Sequence, residues 1–461
     1  MIKKQVDSVD RSRSRAETFI LVLALAMIAG IVVVVCAFGV NFIAGTANPV
    51  GDSSPASSSD ALNPGRNAAV TLDSQATISV TGDVIGHMSM VKAAYDADTD
   101  SYDFNNIFTY IQKYTASSDY SIANLETTLR GTEDGGKYRG YPLFNTPDAI
   151  ADALKNAKFD MLLTSNNHCY DTGGRGITRT VEVLDKAGLD HIGTVLTEND
   201  KRYIVKDVNG IKIGMMCYTF ETGEKKGGSK SINGILMKPE DAALIDSFNY
   251  NRLDDFYGEL SERITAMKNE GADATVLFIH WGEEYKTERS RIQKNMAQSI
   301  CDLGIDVIVG GHPHVLQPVE LLTAGDGSHK TVCLYSTGNA VSNQRKESAK
   351  IKTGHTEDGC LFSVTFNKYS DGRVIVADTH LLPTWVNLFT DADTGKKVYR
   401  IVPLDKSVED WKSAFQLNDV SLKNAEESYR RTVSITGKGM TQVQAYCRGQ
   451  AKAIVSGSDA Q

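Results

Sequence analysis

From residue 76 to about residue 380 the chain alternates two kinds of stretch. Short apolar runs rich in Val, Ile and Leu predict buried strands, and longer segments with apolar residues every three or four positions predict amphipathic helices. Their alternation predicts an α/β body. Ala76–Thr81, Tyr120–Ala123, Phe159–Thr164, Ile211–Tyr218, Ala274–Ile279, Asp306–Val309 and Val332–Tyr335 read as strands. Leu361–Asn367 and Val374–His380 read as a hairpin around Ser370-Asp371-Gly372. Tyr102–Ser117, Pro147–Ala157, Gly176–Ala187, Arg252–Glu270 and Ile292–Leu303 read as helices, the third stopped by Gly188. Residues after about 404 read as helical and polar.

Five of the strands end in residues able to bind a metal: Asp83, Glu126, Asn167-His168, His280 and the pair His312/His314. The richest end is Gly304–Glu320, GIDVIVGGHPHVLQPVE. There Gly310 and Gly311 allow a sharp turn after the strand, and Pro313 fixes the chain between two imidazoles. Any one of these residues has an ordinary alternative role, as a turn residue, a helix cap or a buried polar group. Their recurrence at strand ends is the stronger signal, because ligands at one edge of a sheet converge in a single crevice. Imidazole, carboxylate and amide oxygen together suit Mn, Fe or Zn rather than calcium or a thiolate zinc site. In NNHCYDTGGRGI, His168 and Asp171 stand three apart, close enough for the carboxylate to orient the imidazole for proton transfer to a leaving group. Gly173, Gly174 and Gly176 then lead into a helix whose N-terminus favours an anion.

The N-terminus changes the picture from a bare α/β body. Phe19–Ala44 is a run of 26 residues without a charge, long enough to cross a hydrocarbon core of about 30 Å. Residues 1–18 carry five basic and three acidic side chains, which predicts a cytoplasmic N-terminus and a main domain on the outer face of the cell membrane. The run is longer than the core of a cleavable signal peptide, so an anchor is expected. Residues 45–69 are rich in Ser, Ala, Gly, Pro and Asn and read as a flexible tether. Residues 70–400 then form the main domain, and 401–461 a polar helical extension. The whole chain of 461 residues has a formal charge of −8, leaving about −10 beyond residue 18. An acidic body without a basic stripe argues against nucleic acid as a partner. The seven cysteines show no paired spacing and read as buried thiols.

TGDVIGH, ANLETTL, TSNNHCYDTGGRGI, HWGEEY, VGGHPHVLQPVE and YSTGNAVSN occur in that order over residues 76–385. Together they resemble the CapA-type poly-γ-glutamate (capsule) biosynthesis proteins of the calcineurin-like metallophosphatase superfamily. The resemblance implies a four-layer sandwich, two mixed β-sheets flanked by helices, with a site for two divalent metal ions at the strand ends. It implies Asp83 and His314 on one ion, Asn167, His280 and His312 on the other, Glu126 bridging, and His168, oriented by Asp171, as general acid. It also places Asn339 near the pocket. The chain departs from the superfamily at position 85, where Ile stands in place of His and His87 is the nearest histidine, and at Glu126, where the usual bridge is the shorter Asp.

Three functions follow as expectations. One is a membrane-anchored outer-face protein that acts in synthesis or export of poly-γ-glutamate or a related acidic polymer, with membrane-bound capsule-synthesis partners. The others are an extracellular metal-dependent phosphoesterase and a non-catalytic assembly scaffold. An acidic body and an anionic polymer repel, so the pocket would need cationic help from metal ions and from residues such as Arg175 and Arg179.

Overall fold

The computed structural model describes residues 69–223, 229–347 and 352–456. The expected membrane anchor, cytoplasmic tail and nearly all of the tether lie outside them. Among the described residues no helix is long and apolar enough to cross a membrane.

Two mixed sheets face each other. The first contains β1 (Leu72–Val84), β2 (Tyr120–Leu125), β3 (Met161–Leu163) and β4 (Asp190–Ile192), which run parallel and are linked by helical crossovers that include α1 (Ala149–Asn156) and α2 (Gly174–Ala187). The second is built on β5 (Ile204–Val208), β6 (Ile211–Phe220) and β7 (Ser247–Phe248), followed by α3 (Leu253–Asn269), β8 (Ala274–His280), α4 (Arg291–Asp302), β9 (Val307–Gly311), β10 (Val319–Thr323) and β11 (Lys330–Leu334). The chain then returns to the first sheet as β12 (Asn339–Val341), β13 (Asp358–Tyr369), β14 (Val374–Thr390) and β15 (Lys397–Pro403), and ends in α5 (Asp419–Ser456). The first sheet has the order β15-β14-β13-β1-β2-β3-β4 with β12 also on β1, and the second β7-β6-β8-β9-β11-β10 with β5 also on β6.

The strands are near-continuous apolar runs because both faces of each sheet are covered. Ile78, Val80, Ile122, Met215, Val276, Phe278, Val307 and Phe362 belong to one core cluster between the sheets. A second cluster joins Ala123, Leu125 and Leu162 of the first sheet to Ile150, Leu154 and Leu184 of α1 and α2. A third joins Met216, Leu277 and Ile308 of the second sheet to Leu260, Ile264, Met296 and Ile300 of α3 and α4. Alternate residues of each strand therefore feed opposite layers, giving helices, sheet, sheet, helices.

Three sequence expectations are corrected here. Tyr102–Ser117 is not one helix but two single turns, Asn105–Phe108 and Gln112–Thr115. Tertiary anchors divide it: Tyr110 packs on Phe415, and the Thr115 hydroxyl donates to the Ala157 carbonyl. The hairpin partner of β13 runs on to Thr390. Finally, β15 crosses the position where a separate extension was expected to begin at 401. The long helix that follows is part of the same body. Its buried face is Ser421, Ala425, Ser428, Thr432, Thr436, Met440, Val443 and Cys447, and the last three join the core between the sheets. Arg431 fixes it with paired hydrogen bonds of 2.6 Å to the buried carboxylate of Asp358.

Candidate metal centre

The site forms where β1, β2, β3, β8 and β9 end together. Asp83 is re-aimed by a local irregularity: the pairings of β1 with β2 and with β12 both shift register beside it. Its Oδ1 accepts a 2.7 Å hydrogen bond from Asn124, and its Oδ2 lies 3.1 Å from His314 Nδ1. Glu126 follows β2 directly and is fully buried. Asn167 and His168 follow β3, and the Asn167 Oδ1 lies 2.7 Å from His280 Nε2 at the end of β8.

Gly310 and Gly311 were expected to serve an unusual backbone angle, yet neither has positive φ. Crowding requires them instead. A Cβ at Gly310 would lie 2.0 Å from the Tyr335 carbonyl oxygen, and one at Gly311 would lie 3.2 Å from Asp83 Oδ1 and 3.3 Å from His280 Nδ1. The unusual angles fall on the histidines, with φ of 95° at His312 and 57° at His314. Non-glycine residues held there store strain, which packed surroundings must hold in place.

Glu126 is the centre of the cluster. Its Oε1 is 3.7 Å from His280 Nε2 and 3.8 Å from both His168 Nε2 and His314 Nε2. Neither carboxyl oxygen has a hydrogen-bond partner, and His312 Nδ1 also has none. Burial, and next the Asp83 charge, push the Glu126 carboxyl well above its ordinary range. Burial, and then neighbouring imidazoles, hold His280 and His312 well below theirs. Acceptors gathered without donors are costly to bury. A divalent cation would give each of them a partner and stabilise the ionised carboxylate. Asp83, Glu126 and His280 each offer one ligand atom, and these atoms lie within 4.8 Å of one another. The donor set therefore fits a hard-to-borderline transition metal.

His168 and Asp171 meet as expected, with Nδ1 and Oδ2 at 2.7 Å. The same Oδ2 accepts the Phe144 backbone N–H at 2.7 Å, and Oδ1 accepts from Asn233 at 3.1 Å. Fixed by these contacts, Asp171 orients the His168 ring toward Glu126. Asn233 escaped the sequence reading, although Asn233-Gly234 between Ser231–Ile232 and Ile235–Leu236 is a two-residue hairpin signal. Asn124 and Asn166 also escaped it. Asn166 donates to Asn124 Oδ1 at 3.1 Å and to the Leu125 carbonyl at 2.9 Å, tying the ends of β2 and β3 together. Asn339 pairs across from Asp83, with its Oδ1 3.2 Å from His314 Nδ1.

Two expected sources of positive charge are otherwise engaged. Arg175 pairs with Asp134 at 2.8 Å, and Arg179 forms a fork to Asp148 at 2.7 and 2.8 Å. The start of α2 already faces a carboxylate, that of Asp241, which lies against Gly174.

A two-sheet sandwich carrying Asp, Glu, Asn and His at converging strand ends defines a metallophosphatase-like class of protein. Within that class the chain belongs to the bacterial capsule synthesis protein PGA_cap family, whose pattern matches residues 77–344. The chain is similar to the PGA biosynthesis protein CapA of Bacillus subtilis, 28% identical over 354 residues that cover 75% of this chain and 83% of that protein. It is also similar to the capsule biosynthesis protein CapA of Bacillus anthracis, 28% identical over 300 residues that cover 61% of this chain and 64% of the relative.

Proposed function

We propose that this protein acts in the synthesis or export of poly-γ-glutamate or a related anionic envelope polymer, from the outer face of the cell membrane, and carries a dinuclear metal site. The observation that carries the metal reading is Glu126, a buried carboxylate without a donor, ringed by three imidazole nitrogens at 3.7–3.8 Å. Membership of the capsule family and the names of the two Bacillus relatives support the polymer role. The uncharged run Phe19–Ala44 supports the anchor, and membrane-bound capsule-synthesis proteins are the expected partners.

In this reading Asp83 and His314 would hold one ion, Asn167, His280 and His312 would hold the other, and Glu126 would serve both. Mn, Fe or Zn bound there would supply Lewis acidity and a nucleophile from water at neutral pH. The chain's own residues do the rest. Asp171 fixes the His168 ring so that Nε2 faces the centre, where it can pass a proton to a leaving oxygen. Asn124 and Asn339 hold Asp83 and His314 in place from behind. The same dyad favours a second reading, an outer-face phosphoesterase without a capsule role, over a scaffold that performs no chemistry.

Metal analysis of the purified chain beside His312→Ala is the direct test. Near two equivalents of transition metal in the wild type, falling sharply in the variant, is the expected result. A folded wild type free of metal, unchanged by the substitution, would turn the reading to a scaffold. Turnover of an aryl phosphodiester with manganese and loss of anionic capsule staining on gene deletion then separate the two enzymatic roles.

A further inference from the structure

The motif HWGEEY supplies one metal-site residue, His280, and its last residue remains without a role. Tyr285 is a bulky side chain in the left-handed region, with φ of 66°. Such an angle is strained for a side chain of this size and persists only where the surroundings over-determine it. Here the Tyr285 N–H donates at 2.7 Å to the carbonyl of Pro313, between His312 and His314. Two further ties hold the same loop, from Gln317 Nε2 to the carbonyls of Lys286 and Glu288 at 2.8 and 3.1 Å. The strained tyrosine is thus locked onto the loop that carries two of the histidines.

Its ring centroid lies 6.1 Å from that of His314. The side chain is about one-third exposed, so a ligand reaching the centre from solvent can touch it. A chain of amides and imidazole leads from the centre to its hydroxyl: His314 Nδ1 to Asn339 Oδ1 at 3.2 Å, Asn339 Nδ2 to Gln344 Oε1 at 3.0 Å, and Gln344 Nε2 toward the Tyr285 oxygen at 3.5 Å. Gln344 can only donate through that nitrogen, so the phenol keeps its own proton to give away.

We propose that the Tyr285 hydroxyl binds an oxyanion at the open side of the metal centre, donating its hydrogen bond to a phosphoryl oxygen or to a carboxylate of a γ-glutamyl chain. This rests on the metal reading above and adds a ligand-binding residue to it.

The test uses the manganese-loaded chain, with inorganic phosphate in one arm and γ-glutamylglutamate in the other, titrated calorimetrically. Tyr285→Phe removes only the oxygen, and is expected to retain metal while weakening at least one of the two by roughly tenfold or more. Weakening of phosphate alone identifies a phosphoester site, and weakening of the dipeptide alone identifies the polymer. Tyr285→Asn, a residue at ease with positive φ, is expected to lose the same affinity without a fall in thermal midpoint. Unchanged affinity for both ligands in a metal-replete Tyr285→Phe protein would overturn the assignment, as would a wild type that binds neither. Loss of metal from Tyr285→Phe would also overturn it, by making the residue a support for the histidine loop. A metal-free wild type would instead bring down the reading of the site on which it rests.

Discussion

Replacing Glu126 with Gln removes one ionisable group and almost no volume, so in chelator it isolates what that buried carboxyl costs. Glu126 has no exposed surface and no hydrogen-bond partner, and burial with the Asp83 charge raises it well above the usual carboxylate range. The folded chain therefore binds this proton more tightly than the unfolded chain, where a glutamate titrates near about 4.3. The stability it contributes is complete below that value and is lost as pH rises toward the raised folded value. Within that window each pH unit removes about 1.4 kcal/mol. His280 and His312 work in the other direction: their lowered values cost stability as pH falls below about 6.5. They are present in both proteins, so they enter the difference only through the change in their coupling to position 126. Urea unfolding with chelator at pH 5.5 and 6.5 should thus show the advantage of Glu126→Gln over wild type growing with pH, with about 1.4 kcal/mol per unit as the ceiling. Added manganese should reverse the order, since a ligand stabilises the form that binds it. A difference independent of pH would refute the reasoning, because it would mean the carboxyl titrates as it does in water.

Gly310→Ala puts a methyl group 2.0 Å from the Tyr335 carbonyl and 2.5 Å from Trp281 Nε1, which bond each other at 3.0 Å. Overpacking of this kind costs about 1–3 kcal/mol, and a lowered thermal midpoint together with reduced metal content is expected. Arg431→Ala leaves Asp358 buried without its guanidinium, at a cost of about 3–5 kcal/mol by urea unfolding. Pairing Arg431→Met with Asp358→Asn should recover much of that loss, and failure to recover would assign the loss to packing.

The strand ends that build the site were legible because two signals coincide there, an apolar run that stops and a side chain able to bind metal that follows. Asp83, Glu126, Asn167, His168, His280, His312 and His314 meet in the structure for that reason. The asparagines around them were not legible. Asn124 lies inside a strand, and Asn233 lies on a hairpin far along the chain from Asp171. Only tertiary pairing makes either of them part of the site. The terminal helix was legible as a helix but not as core, because half of its buried face is Ser and Thr, residues that a hydropathy pattern counts as solvent-facing. Tyr102–Ser117 shows the reverse error: its periodicity is helical, and side chains anchored elsewhere break it.

The side chains of the site come from opposite sheets. Asp83, Glu126, Asn167 and His168 stand on the first, and His280, His312 and His314 on the second, nearly 150 residues later for the last pair. No fragment of nascent chain shorter than about residue 314 can assemble the full set, and either sheet alone offers only half of it. On the metal reading proposed above, cation uptake is a late event, following docking of the two layers. Retention of metal would report that the whole sandwich has closed, a readout of maturation that needs no substrate.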